Sequence, residues 1–233
     1  VNLKKVGGKV RSAETQTPLT PFAKSLARGF KKKTLRVNTG RKPQQAERYF
    51  GELLLAMLKK QGIPVSNRIV HGAIAPQAPF YQHSNSRTLG DMIRPMMKYS
   101  TNFIANQLVL IMAAEHYQRP ANARDVQQYM QDNLRADFNW QQFTFQEGAG
   151  LSRKNRVSPQ QLVQLLERFK PWRHLLPEVE PGVFAKSGTL KKVSTLAGYI
   201  VDNGEWKPFA LMMNQSVPYK LRNRIATALR RTL

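Results

Sequence analysis

The 233-residue chain is 41% hydrophobic and 22% charged, which suits one sizeable folded domain with room for a small extra lobe and argues against disorder throughout. It has no cysteine, which excludes disulfides, thiolate metal sites and cysteine nucleophiles, and no apolar run reaches the roughly 18 residues of a membrane span. The net charge of +23 is uneven, with twelve Lys or Arg and one acid, Glu14, in residues 1–42; such a field attracts nucleic acid, anionic lipid or a carboxylate-rich polymer without choosing among them.

Residues 1–11 alternate loosely around Gly7-Gly8 and predict two short strands or a hairpin. A Thr/Pro stretch follows, with Thr15, Thr17, Pro18, Thr20 and Pro21, and reads as a loop. Pro43 opens the first clear helix, where its missing N–H costs nothing. Phe50, Leu53, Leu54, Met57 and Leu58 recur on one face of it; Gly62 and Pro64 end it. Residues 69–75 read as a strand. Thr88 and Asp91 form a capping-box pair ahead of a short helix at 92–97. A break at 99–102 separates it from a more apolar helix at 103–117, and another helix spans 123–134.

Residues 143–145 are a short extended piece leading into the Gly148-Ala149-Gly150 turn. Ser158, Pro159 and Gln161 combine an N-cap, an N1 proline and a capping-box partner for a helix reaching residue 170. Three strand-like runs follow at 183–190, 193–201 and 206–213. Asn203-Gly204 joins the last two as a tight hairpin. A basic helix closes the chain at 218–231, with Leu221, Ile225, Ala228 and Leu229 as its apolar face. Helices, then an antiparallel meander, then a helix predict an α+β fold with helices packed on the sheet.

Two short motifs carry candidate chemistry. Ser100-Thr101-Asn102 falls in the break between two helices, and Lys186-Ser187-Gly188 falls within the first strand of the meander. Alone, the first reads as a helix cap and the second as a solvated strand edge. Together, in this order and in these settings, they match two of the three elements Ser-x-x-Lys, Ser-x-Asn and Lys-Thr-Gly used by penicillin-binding proteins and β-lactamases. The four histidines, His71, His83, His116 and His174, have neither ligand spacing nor a triad partner, and read as structural.

The surrounding sequence narrows the likeness. Met96-Met97-Lys98-Tyr99-Ser100-Thr101-Asn102-Phe103-Ile104-Ala105 resembles the Ser-x-Asn region of the low-molecular-mass class C penicillin-binding proteins. These are the D-alanyl-D-alanine carboxypeptidases/endopeptidases of peptidase family S13. The stretch from Glu147 through Gly148-Ala149-Gly150-Leu151-Ser152-Arg153 is similar to that family's Asp-Gly-Ser-Gly-Leu-Ser-Arg segment, with Glu and Ala substituted. Ala185-Lys186-Ser187-Gly188-Thr189-Leu190, followed by Leu196-Ala197-Gly198-Tyr199, resembles its third-motif strand and the neighbour of that strand. The likeness is strong from residue 88 onward and looser over 1–75. It implies a partial penicillin-binding/β-lactamase-like transpeptidase fold, with residues 1–42 a basic strand/loop remnant of an accessory region and 43–233 the C-terminal part of the peptidase domain.

The resemblance also implies roles. Ser100 would relay a proton between Lys186 and the nucleophile or leaving amine. Asn102 would donate to an amide carbonyl of the substrate. Lys186 and Ser187 would hold its carboxylate, Gly188 would leave backbone room along the strand, and the N–H of Thr189 would be one oxyanion donor. The expected partner is a peptidoglycan stem peptide ending in D-Ala-D-Ala, with β-lactams as ligands of the complete protein, no cofactor and no metal. The charge suits that carboxylate substrate and an anionic membrane surface, and the expected setting is the periplasm or exported bacterial envelope.

One element departs from the pattern. No serine here is followed three residues later by lysine, so the nucleophile motif is expected upstream; the opening Val1-Asn2-Leu3-Lys4-Lys5 is no signal peptide, so the chain is either cytosolic or lacks the leader of an exported precursor. This chain by itself is therefore expected to be inactive. Two other readings follow from the same residues. A protein on this fold without the nucleophile would bind cell-wall peptide and not cleave it. A nucleic-acid binder would need aromatics among the basic cluster, where only Phe22 and Phe30 occur, so no specific nucleic acid is expected.

Overall fold

Gly7 and Gly8 take φ of 56° and 75°, a turn that suits residues without a Cβ. They close the expected hairpin between β1 (Asn2–Val6) and β2 (Lys9–Ser12). A third strand, β3 (Thr34–Arg36), pairs antiparallel with the other side of β1 to give the order β2-β1-β3. Leu3 faces inward and is 1% exposed. The computed structural model describes residues 1–14, 16–37, 39, 42–72 and 81–232. These form two units, Val1–Gln82 and His83–Leu233, so the charge step at residue 42 lies inside the first.

The Thr/Pro loop ends in a helix that its own residues foretell. Thr20 accepts the N–H of Ala23 and Pro21 occupies the first turn of α1 (Pro21–Leu26). The next helix, α2 (Pro43–Lys60), starts at Pro43 as expected, and Gly62 with φ 75° follows its end. Its expected apolar face is not its buried one: Phe50, Leu54 and Met57 are exposed, and Glu52 is the buried residue. The Glu52 carboxylate accepts the backbone N–H of Phe22 at 2.7 Å and Nε of Arg48 at 3.0 Å, so a buried charge is hydrogen-bonded and paired. Residues 69–72 form no strand; the rest of that expected strand, 73–75, lies outside the described residues, as does Thr15 in the loop.

In the second unit the helices begin where their caps are written. Thr88 and Asp91 close a capping box on α3 (Leu89–Tyr99), and Ser158 and Gln161 do so on α6 (Pro159–Phe169). Between them run α4 (Asn102–Tyr117) and α5 (Ala123–Phe138), the latter longer than expected because Asn139, at φ 53°, supplies its left-handed stop. A 3-10 turn (Lys170–Leu175) and a short strand, β4 (Glu178–Glu180), were not legible in advance. Then come β5 (Val183–Leu190), β6 (Val193–Asp202), β7 (Glu205–Met213) and α7 (Leu221–Thr232), in sheet order β4-β5-β6-β7. Asn203 and Gly204, both with positive φ, make the β6–β7 turn. Among the described residues no helix is long and apolar enough to cross a membrane.

Strand alternation splits the core into two layers. Val183, Ala185, Leu196, Ile200 and Phe209 pack with Ala226 of α7 on one face of the sheet. Phe184, Ala197, Tyr199 and Trp206 pack with Leu166 and Phe169 of α6 and Met97 of α3 on the other. The buried Tyr199 hydroxyl donates to the carbonyl of Leu166 at 2.5 Å, and burial is the main cause that pushes it up to about 12. On α7 the buried position is Ala226, while Ala228 and Leu229 are exposed, so the helix turns a different face inward than its apolar residues suggested. The reason is space: a small side chain lets α7 lie close on Val183 and Ala185.

Gly198 has less room for a side chain than Gly188, the other glycine within the strands of this sheet. A Cβ there would overlap the carbonyl oxygen of Phe184 and come within 2.5 Å of Ala185 Cα. Gly198→Ala is expected to destabilise by ~1–3 kcal/mol, the range for overpacking. Thermal unfolding of the chain should show a melting point lower by several degrees.

Candidate active site

Met97 of α3 packs against the Phe184–Tyr199 layer. Three residues later α3 ends, and two residues after Phe184 comes Lys186. Each spacing returns to the same face, so Ser100 and Lys186 meet. The Lys186 ammonium donates to the Ser100 hydroxyl and, at 2.7 Å, to the carbonyl of Ser187. Ser100 adopts the left-handed conformation, φ 52° and ψ 54°, which is uncommon for serine. That conformation stops α3 and aims the hydroxyl at the sheet.

A plain capping role does not account for this turn. Thr101 occupies the N-cap of α4 and makes no side-chain cap bond. Asn102 is the first residue of α4, one step beyond, with an exposed side chain. Ser100 and Lys186 are thus in contact, and Asn102 follows two residues after Ser100 at the start of α4.

Lys186 is half-buried in a chain rich in cations. Burial, and secondarily the positive charge of Arg222, hold its ammonium below the ordinary lysine value. Both causes disfavour the charged form.

Among the described residues no strand pairs with the far edge of β5 beyond Phe184. β4 pairs only with Val183 and Phe184, and the N–H of Ala185 turns outward to the carbonyl of Pro177 at 3.0 Å. Backbone direction repeats every second residue, so the N–H groups of Ser187 and Thr189 point to that same edge, away from β6. Donors without a partner among the described residues, on a strand edge of this kind, are a template for an extended ligand. At Gly188 a Cβ would collide with Thr195 Oγ1, directly opposite on β6. The glycine is therefore required by its cross-strand neighbour, a constraint separate from the room expected along the groove.

Two features went unread in the sequence. Arg222 of α7 donates to the Gly188 carbonyl and the Thr189 hydroxyl; nothing marks it among the many basic residues of that helix. Glu147 is the hub of the 147–155 turn: its carboxylate accepts the N–H groups of Ala149 at 2.8 Å and Ser152 at 3.0 Å and Nδ2 of Asn155 at 3.2 Å. Asn106 of α4 also accepts the Ala149 N–H, and a Cβ on Gly148 would meet Ala105 O at 2.6 Å. The turn thus lies flat on the first turns of α4, just past Asn102. Arg153 reaches from it to the carbonyl of Lys191 at the end of β5. Of the histidines, His116 stacks edge-on against Tyr117 and Tyr129, and His71 pairs with Glu47. Among the described residues no group of three His, Asp or Glu could hold a metal.

A sheet covered by helices on both faces, with a Lys-Ser-Gly strand against a Ser-x-Asn turn, is the pattern of the acyl-serine proteins that recognise penicillin. The D-Ala-D-Ala carboxypeptidase 3 (S13) family model matches residues 25–180, and the chain belongs to that family. It is 26% identical over 196 residues to the D-alanyl-D-alanine carboxypeptidase DacB of Haemophilus influenzae, covering 73% of this chain and 41% of that protein. Two crystal structures of penicillin-binding protein 4 (dacB) from Haemophilus influenzae share the fold with TM-scores of 0.61. The one complexed with a novel β-lactam is 23% identical, covering 85% of this chain and 52% of that one; the other is 24% identical, covering 87% and 51%. The chain thus spans about half the length of the relatives it matches.

The environment of Lys186 generates a titration prediction. In a side-chain carbon NMR titration, Lys186 should lose its proton at lower pH than the exposed lysines. Because the unfolded chain then binds that proton more tightly than the folded one, the site's contribution to stability improves as pH rises from the folded-state value to the ordinary lysine value. Titration together with the exposed lysines would contradict the burial assigned to it.

Proposed function

We propose that this chain is the C-terminal part of a serine-type D-Ala-D-Ala carboxypeptidase that acts on peptidoglycan stem peptides. The observation that carries the reading is the contact between the Lys186 ammonium and the Ser100 hydroxyl, across a helix break and a strand edge. Acyl transfer from a peptide to serine needs a proton path, oxyanion donors and a grip on the free carboxylate. The groove beside β5 holds groups suited to each.

The acyl-accepting serine, with its Ser-x-x-Lys, comes from sequence outside these 233 residues. Its hydroxyl oxygen attacks the carbonyl carbon between the two D-alanines. Its proton passes through the Ser100 hydroxyl toward the nitrogen of the scissile bond. The C–N bond breaks, the terminal D-alanine leaves as a free amine, and water then cleaves the ester and restores the serine. Asn102 donates to the acyl-side amide carbonyl. The Thr189 N–H, on the open edge, is one oxyanion donor; the nucleophile's own N–H is the other. Lys186 and the Ser187 hydroxyl attract the terminal carboxylate. A β-lactam enters the same groove in the complete protein, with its carboxylate in the same place. The expected setting is the bacterial envelope, where such stem peptides occur.

Labelled penicillin tests this directly. The isolated 233 residues should form no covalent adduct by mass spectrometry. The complete protein should be labelled, and Lys186→Ala should slow labelling by about a hundredfold or more, the scale of a lost proton-transfer or oxyanion group. Undiminished labelling of that variant would remove Lys186 from the mechanism. Binding of a D-Ala-D-Ala peptide by a complete protein that never becomes labelled would favour a non-catalytic cell-wall receptor.

A further inference from the structure

Arg222 lies outside every motif in the sequence, yet one of its nitrogens, Nη1, contacts three acceptors of the site strand and its neighbour. It donates to the Gly188 carbonyl at 2.7 Å, to the Thr189 hydroxyl at 2.8 Å and to the Ser194 hydroxyl at 3.3 Å. We propose that Arg222 is a positioning residue of the acyl-transfer site, which fixes the Gly188–Thr189 peptide and turns the Thr189 hydroxyl outward as a donor to the carboxylate end of the substrate. The inference rests on the reading of the β5 groove as a D-alanine carboxyl site.

Peptide planarity supplies the first half of the argument. The Gly188 carbonyl and the Thr189 N–H belong to one trans peptide and point in opposite directions. Holding the oxygen on the β6 and α7 side therefore holds the N–H on the open edge of β5. That N–H is the one assigned to the oxyanion. A guanidinium bond to the carbonyl also draws electron density along the amide and strengthens its donor.

Donor inventory supplies the second half. A guanidinium only donates, so the Thr189 oxygen spends a lone pair on Arg222 and keeps its hydrogen for another acceptor. Thr189 is exposed beside the open edge. Its hydroxyl hydrogen is thereby preset toward an incoming acceptor, and a carboxylate is the acceptor that two nearby cations favour.

The helix holds Arg222 in this place. Arg222, Ala226 and Arg230 are spaced four apart and share the face of α7 that lies on the sheet. Ala226 is fully buried, Arg230 Nε donates to Val201 O at 3.2 Å, and Asn223 Nδ2 donates to Glu180 at 2.9 Å. The positive charge so placed also helps hold Lys186 below its ordinary value, where the other groups on the ammonium are the neutral Ser100 hydroxyl and Ser187 carbonyl.

The test uses the complete protein, the second-order rate of acylation by labelled penicillin, and the Lys186 titration. Arg222→Gln should lower the rate about tenfold and move the Lys186 titration to higher pH. Arg222→Lys, which keeps the charge but not the fork, should be intermediate in rate with the titration little changed. Thr189→Val combined with Arg222→Gln should cost less than the product of the single effects, because both act through one hydroxyl. A wild-type rate in Arg222→Gln, or multiplicative effects in the double variant, overturns the proposal. Should Arg222→Gln not fold, Arg222→Lys decides, and a wild-type rate in it overturns the proposal. If Lys186→Ala is itself labelled normally, the underlying reading of the groove fails, which is a separate outcome.

Discussion

A lysine ammonium held against a serine hydroxyl ties the α3–α4 break to the sheet of the second unit. Charge of this kind is expensive to shield from water unless it is hydrogen-bonded. Lys186 meets that condition with two acceptors, Ser100 and the Ser187 carbonyl. Both must stay in place for the lysine to remain where it is. The left-handed Ser100, the Met97 packing that precedes it and the edge position of β5 all serve that requirement.

The sheet works as a platform with two distinct faces. One carries α7 on small residues, which brings Arg222 onto the carbonyl side of β5. The other carries α3 and α6 on Phe184 and Tyr199, which brings Ser100 onto Lys186. The open edge between them presents backbone donors. The strand is therefore flanked by rigid elements on both faces of the sheet. The 147–155 turn adds a border, pinned to α4 through Asn106 and Gly148 and tied to the end of β5 by Arg153.

Membership of the S13 family and the shared fold fix the context of these residues. The chain spans about half the length of those relatives. Within these residues the Lys186 ammonium, the Ser100 hydroxyl and the Arg222 guanidinium converge on one strand, β5.

Local chemistry made much of this readable from sequence alone. Caps at Thr88 and Ser158, the Asn203-Gly204 turn, the three strands and the break at Ser100 are dictated within a few residues, so periodicity and turn chemistry reveal them. The two motifs were legible for the same reason. Tertiary packing decided the rest. Which face of α7 is buried depends on the space above Val183 and Ala185, not on its own apolar stripe. The exposure of Phe50 and the burial of Glu52 follow from contacts with α1 that no local pattern encodes. Arg222 is one arginine among many until the helix is laid on the sheet, because a hydrogen bond to a distant carbonyl leaves no periodic trace in the chain that makes it.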